Sequence, residues 1–191
     1  MRVDGILLAA GAGTRMGKPK ALVVGEDGTP WLHAALRSLQ DGGCDRVTVV
    51  LGAAAKEAGW LLAQTPSGRS RLVLAEDWAE GMGASLRAGL ADADLDADAV
   101  VVTLVDLPDV TAEVVRRVVA AATGPAGLAR AAYDGRPGHP VLLGRDHWDG
   151  VRLTATGDKG ARGYLAAHDV TLVECGDLAT GRDVDTRPGQ A

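Results

Sequence analysis

The chain has 191 residues, 47% hydrophobic and 24% charged, which excludes intrinsic disorder and is long enough to bury a core. Its net charge of −5 repels nucleic acid and anionic membrane surfaces, so no nucleic-acid or membrane partner is expected and any phosphate recognition has to be local. Two cysteines, Cys44 and Cys175, are too few for a disulfide scaffold or a zinc site and read as small buried hydrophobes.

In chain order, the first apolar run, Val3–Ala9, reads as a strand that enters a glycine-rich stretch. Thr29-Pro30, a capping residue followed by a proline suited to a first helical position, opens a helix over Trp31–Gln40 that stops before Gly42-Gly43. A strand over Arg46–Leu51, a helix over Ala53–Ala63, a strand over Arg71–Ala75 and a helix over Ala84–Ala91 follow. The most apolar strand is Ala99–Val105, and the next helix, Thr111–Ala122, gathers Val114, Val115, Val118 and Val119 on one face. Strands over Leu128–Ala132 and Val141–Leu143, a helix over Gly160–His168 and a strand over Val170–Glu174 complete the series. This alternation is the pattern of βαβ units, hence an α/β fold with a mainly parallel sheet. The strands lack polar alternation, which predicts that helices cover both faces.

With four Trp, two Tyr, no Phe and one isoleucine, Ile6, the core has to be built from Val, Leu and Ala. The apolar stretch from Gly5 to Ala12 is too short for a membrane span and lacks the layout of a signal peptide, so one soluble, cytoplasmic domain over 1–191 is expected. The acidic series Asp92, Asp94, Asp96 and Asp98 invites a calcium-loop reading, but the sixth position is Ala97 and the twelfth Thr103, so it reads as a solvated loop.

Chemistry concentrates after the first strand. Small residues at Ala9, Ala10, Gly11 and Gly13 let backbone amides approach an anion, and Arg15, Lys18 and Lys20 follow at once. A dinucleotide fingerprint starts at Gly11 and Gly13 but has Met16 at the third glycine, and Pro19 opposes the helix it needs. A P-loop laid on Ala12 to Pro19 fails at both ends, with alanine for glycine and proline for the magnesium-binding hydroxyl. The string A-A-G-x-G-x-R-M-G-x-x-K over Ala9 to Lys20 instead resembles the signature of MobA-like nucleotidyltransferases. Its Leu-Ala-Ala-Gly opening is similar to the molybdenum cofactor cytidylyltransferases, whose guanylyl-transferring relatives read Leu-Ala-Gly-Gly.

That resemblance implies a three-layer α/β/α, Rossmann-like nucleotidyltransferase fold and transfer of a cytidylyl group from CTP to the phosphate of molybdenum-bound molybdopterin, with release of pyrophosphate. GTP, or a sugar or alcohol phosphate acceptor, is the nearer rival, and a non-catalytic accessory protein for a molybdoenzyme of the hydroxylase type the more distant one. Amides and cations suit the charge that develops on the phosphates, with Arg15 as a forked clamp and Lys20 as a point charge on the α-phosphate. The resemblance assigns Mg²⁺ to Asp106, at the end of the most apolar strand, and to Asp185 in the Asp183-Val184-Asp185-Thr186 segment, with Asp183 as fallback. Gly83 and Ser85, in a string similar to the family's G-M-[SG]-x-S-L motif, are assigned to the nucleotide, although the same residues also serve a plain helix cap. Gly138 and His139, in a G-H-P stretch, and Arg162, after Gly157-Asp158-Lys159-Gly160, are the candidate acceptor contacts. A lone histidine between prolines is more often a rigid turn with a satisfied imidazole, so His139 is a binding candidate and not a base. With so few aromatics, the base is expected to meet amides and small side chains rather than a ring.

Overall fold

The computed structural model describes residues 1–64 and 68–184. Seven strands, β1 (Val3–Ala9), β2 (Val47–Leu51), β3 (Ser70–Leu74), β4 (Ala99–Leu104), β5 (Leu128–Tyr133), β6 (Arg136–Gly144) and β7 (Thr171–Glu174), form one sheet. Its order is β3-β2-β1-β4-β6-β5-β7. Parallel ladders join β1 to β2 and β4, β2 to β3, and β5 to β7, while β6 lies antiparallel to both its neighbours. β6 is therefore the one reversed strand among those described.

The helices α1 (Trp31–Asp41), α2 (Ala55–Ala63), α3 (Met82–Ala91), α4 (Ala112–Ala120), α5 (Trp148–Thr154) and α6 (Arg162–Ala166) divide between the two faces. Leu32, Leu36 and Leu39 of α1, Ala58 of α2 and Val114, Val115 and Val118 of α4 pack with Val47, Val49 and Val101 in one core. Leu86 and Leu90 of α3, Trp148 and Val151 of α5 and Leu165 of α6 pack with Val50, Val100 and Val102 in the other. Alternate residues of β2 and β4 feed opposite cores, so a strand without polar alternation is what two helical layers require. This is the α/β/α arrangement expected.

The sheet edges depart from the expectation of full cover. β3 leaves Leu72 and Leu74 exposed at 47% and 54%, and β7 leaves Leu172 at 51%. The stretch Gly138-His139-Pro140, read as a turn, lies inside β6, which is six residues longer than its apolar centre Val141–Leu143. The turn is instead Asp134-Gly135, both at positive φ (51° and 72°), as a two-residue hairpin demands. The helix expected over Gly160–His168 shortens to α6, preceded by a 3-10 turn over Gly157–Lys159. Thr29 caps nothing: Pro30 is the N-cap of α1, and the Thr29 carbonyl accepts from Gly25 N–H at 2.8 Å. Both cysteines are buried and free. The acidic series is engaged in ion pairs, Asp92 with Arg71 and Asp94 with Arg2 and Arg46. Among the described residues, no helix is long and apolar enough to cross a membrane.

Candidate functional site

β1 pairs with β2 on one side and β4 on the other, so the connections leaving β1 and β4 diverge and open a crevice at the carboxyl ends of the strands. The loop after β1 is folded on itself. Met16 N–H donates to the Gly13 carbonyl at 3.0 Å and Gly17 N–H to the Thr14 carbonyl at 3.3 Å. Gly13 stands at φ +59°, and a Cβ there would fall inside the Lys18 carbonyl, so this position admits only glycine. Met16, in place of the third dinucleotide glycine, is 4% exposed and anchors the loop in the core beside α1. Pro19 then opens a 3-10 turn over Lys20–Leu22, and α1 begins only at Trp31.

The turn aims Lys20 at the end of β4. Its Nζ donates to Asp106 Oδ2 at 2.5 Å, and Asp106 is 8% exposed. The C-terminal segment crosses the same place: Val184 N–H donates to the Asp106 carbonyl at 3.1 Å, and both N–H and Oγ1 of Thr180 donate to Asp109 Oδ2 at 2.6 Å. Asp183 is thereby carried onto the wall of the crevice. Asp185 lies outside the described residues.

A cleft of about 640 Å³ results. Ala9, Ala10, Gly11, Gly13, Arg15 and Lys20 line one side, and Asp106 and Asp183 stand with them at the end of β4. Ser85 of α3 and Arg162 at the start of α6 face them. Sequence positions more than 170 residues apart therefore share one wall. Gly83 does not reach it: a Cβ there would meet Thr156 N at 2.8 Å, so Gly83 serves the close approach of α3 to Ala155–Thr156. Among the lining residues that the sequence reading did not assign to the site are Asp158 and Trp78. The half-buried indole of Trp78 packs against Gly52 and places one aromatic ring on the wall of the cleft, beside the amides and small side chains expected to meet the base. The available signal was its place at the head of the Glu80–Gly83 segment.

Gly138 and His139 lie apart from this wall, in β6. Arg130 pairs with Val141 and Ala132 with Pro137, so three residues, 138 to 140, bulge opposite Ala131 alone. Side chains replace the missing ladder bonds: Arg130 Nε and Nη2 donate to the Gly138 carbonyl at 3.3 and 3.1 Å, and the Tyr133 hydroxyl to the His139 carbonyl at 2.6 Å. The bulge turns His139 into a second cavity of about 80 Å³, which Arg162 also lines.

Burial pushes the His139 imidazole down to about 4, and the charges of Arg130 and Arg162 add to the shift. The unfolded chain, with an ordinary histidine near 6.5, then binds a proton that the folded chain refuses. Stability present above pH 6.5 is lost as pH falls toward 4. Urea midpoints measured at pH 7 and pH 5 are expected to differ more for the wild type than for His139→Asn, which has nothing to titrate at that position.

The sequence from residue 5 to residue 172 matches the model of the MobA-like NTP transferase domain. The chain is 37% identical to nicotine blue oxidoreductase of Paenarthrobacter nicotinovorans, covering 96% of this chain and 92% of that protein. It is also similar to the crystal structure of Rv0371c from Mycobacterium tuberculosis H37Rv, with 29% identity, a TM-score of 0.78 and coverage of 97% and 94% of the two chains. Rv0371c has also been solved as a complex with manganese, with a TM-score of 0.76 at 28% identity over 96% and 94% of the chains. A nucleotidyl transferase from Methanothermobacter shares the fold, at a TM-score of 0.81, 21% identity and coverage of 97% and 92%. With the glycine loop, the cations and the strand-end carboxylates of the family signature set around one cleft, the chain belongs to the MobA-like NTP transferase family.

Proposed function

We propose that this protein transfers a cytidylyl group from CTP to the phosphate of molybdenum-bound molybdopterin. The observation that carries the reading is the convergence of Ala9–Gly13, Arg15, Lys20, Ser85, Asp106 and Asp183 on one cleft at the switch point of the sheet. In the reaction an oxygen of the acceptor phosphate attacks the α-phosphorus of CTP. The bond to the β-phosphate breaks and pyrophosphate leaves with the electron pair. The acceptor is a phosphate monoester that is already ionised at neutral pH, so no general base is required. Amides of the glycine loop, Arg15 and Lys20 stabilise the charge spread over the phosphates. The Leu-Ala-Ala-Gly opening, with Ala10 lining the cleft, supports cytosine over guanine.

The donor set fits Mg²⁺. Among the described residues no group of three His, Cys, Asp or Glu side chains is assembled for a metal. One or two carboxylates, Asp106 and Asp183 or Asp185, would hold the ion, leaving its remaining positions to phosphate oxygens and water, as Mg²⁺ prefers. Bound there it would neutralise phosphate charge, and the manganese complex of Rv0371c supports a divalent ion. A cytoplasmic location and delivery of product to a molybdoenzyme of the hydroxylase type belong to the same reading.

The identity to nicotine blue oxidoreductase favours a second reading, an oxidoreductase, for which a reduced dinucleotide is the electron donor to test. The loop after β1 argues against it, because 21 residues separate β1 from the first helix and no helix N-terminus meets a pyrophosphate there. The test is a panel of CTP, GTP, UTP and ATP with molybdopterin and Mg²⁺, followed by pyrophosphate release, beside NADH and NADPH oxidation with a quinoid dye. Release with CTP above the other nucleotides is expected. Dye reduction without pyrophosphate release selects the second reading.

A further inference from the structure

β3 is one of the two edges of the sheet, and among the described residues no strand lies beyond it. The Arg69 carbonyl accepts from Val47 N–H at 2.8 Å, and Ala75 N–H donates to the Leu51 carbonyl at 2.9 Å, so every second residue from Arg69 to Ala75 turns its backbone groups to β2. Leu72 and Leu74 fall between them and turn N–H and C=O to the outside. Their side chains share one face of the strand, the face on which a Cβ at Gly59 of α2 would meet Leu72 Cδ1 at 3.6 Å. They stay 47% and 54% exposed there.

An apolar free edge is ordinarily guarded by a charge, a proline or a bulge. β3, Ser70-Arg71-Leu72-Val73-Leu74, contains no proline and follows β2 in unbroken register. Its one charged residue is turned away from the edge. Arg71 Nε donates to Thr48 Oγ1 of β2 at 3.0 Å and stands 2.6 Å from Asp92 Oδ2. The free charges lie at the two ends of the strand and have opposite signs: Arg69 precedes it, and Glu76 and Asp77 follow it. All three are exposed, and among the described residues none takes part in an ion pair. An antiparallel neighbour with the same polarity satisfies both ends at once, and β3 of a second copy is such a neighbour. β7, the other edge, runs between Asp169 and Glu174 and is acidic at both ends, so it complements neither itself nor the acidic end of β3.

We propose that two copies of this chain pair β3 with β3, antiparallel about a two-fold axis at Val73, into one sheet continuous through both. Leu72 of each copy then lies opposite Leu74 of the other in a hydrogen-bonded pair, and Arg69 lies opposite Asp77 at both ends of the seam. The contact is isologous and closes at two copies. A seam between strands of five residues falls at or below the lower end of specific interfaces, about 1,200 Å², so the dimer forms at micromolar concentration and dissociates on dilution. Pairing at this edge is independent of the transferase chemistry.

The full chain is followed by sedimentation equilibrium from low to several hundred micromolar, with amide hydrogen exchange read at both ends of the range. The mass is expected to rise from one chain to two, with exchange at Leu72 and Leu74 slowed at high concentration. Leu72→Lys and Leu74→Lys, at exposed positions, are each expected to raise the dissociation constant about tenfold or more. Leu172→Lys, on the other edge, is expected to leave it unchanged. Arg69→Asp and Asp77→Arg each set like charges opposite one another and are expected to weaken self-association. An equimolar mixture of these two variants sets unlike charges at both ends of a mixed pair and is expected to dimerise as well as the wild type. One chain at every concentration overturns the pairing and leaves the edge to a different protein. A mass that climbs past two chains overturns it in favour of head-to-tail assembly through β7. A dimer that survives both lysine variants, one whose Leu72 and Leu74 amides exchange as in the monomer, or a mixture no better associated than its components overturns it as well.

Discussion

Asp106→Asn is expected to lower CTP-dependent pyrophosphate release by about 10³-fold, the order seen when a preorganised charge at a reacting phosphate or oxyanion is removed. The substitution preserves shape and removes only the charge. Asp106 is 8% exposed and holds Lys20 Nζ at 2.5 Å, so the same change weakens a short ion pair at a largely buried ammonium. Breaking a fully buried ion pair by removing one partner costs about 3–5 kcal/mol. The Lys20 side chain retains 19% exposure, which reduces the expected loss of stability to about 1–3 kcal/mol. Lys20→Met strands the carboxylate instead and is expected to lose both stability and transfer. The double variant restores an uncharged contact, so its stability should approach the wild type while its activity stays absent. A thermodynamic cycle from urea unfolding, run beside a pyrophosphate assay, separates the two roles of the pair. Retained turnover in Asp106→Asn would take this carboxylate out of the chemistry.

What the sequence disclosed was local. β1, the glycine loop and β4 with Asp106 at its end are runs of adjacent residues, and their conformations follow from apolar content, proline and glycine within a few positions. The structure adds to the loop the anchoring of Met16, which depends on α1 lying over it. Features set by distant pairing stayed hidden. Pro137 and Pro140 argue for a turn by their missing N–H groups, but a bulge with side-chain bonds from Arg130 and Tyr133 lets β6 carry both. Arg130 is one polar residue in the apolar strand Leu128–Ala132, and nothing nearby marks it. Its place beside Arg162, 32 positions away and in another layer, is set by the fold. Trp78 reaches the cleft only because Gly52 leaves room for its ring. Exposure of Leu72 and Leu74 follows from the strand order, which places β3 at an edge, and strand composition alone does not encode that.

The two glycines that open the loop are expected to respond differently to the same added methyl. At Gly13 the backbone stands at φ +59° with the Lys18 carbonyl in the way, so Gly13→Ala forces an unfavourable conformation together with a displaced turn. A loss of about 1–3 kcal/mol is expected, read as a lowered urea midpoint, together with loss of nucleotide binding because Arg15 and Lys20 are carried on the same loop. At Gly11 nothing lies within 4 Å of the place a methyl group would take, and the residue is not among the glycines of positive φ. Gly11→Ala is therefore expected to fold with a stability within about 0.5 kcal/mol of the wild type. Its effect should fall on the ligand, because exposed Gly11 lines the cleft in which the proposed reaction sets phosphate oxygens against backbone amides, and a methyl group there would hold them off. The KM for CTP is expected to rise about tenfold, equivalent to about 1.4 kcal/mol of binding. A normal KM in Gly11→Ala would mean that the triphosphate does not lie against this amide, and the cations Arg15 and Lys20 would then have to hold it farther along the loop.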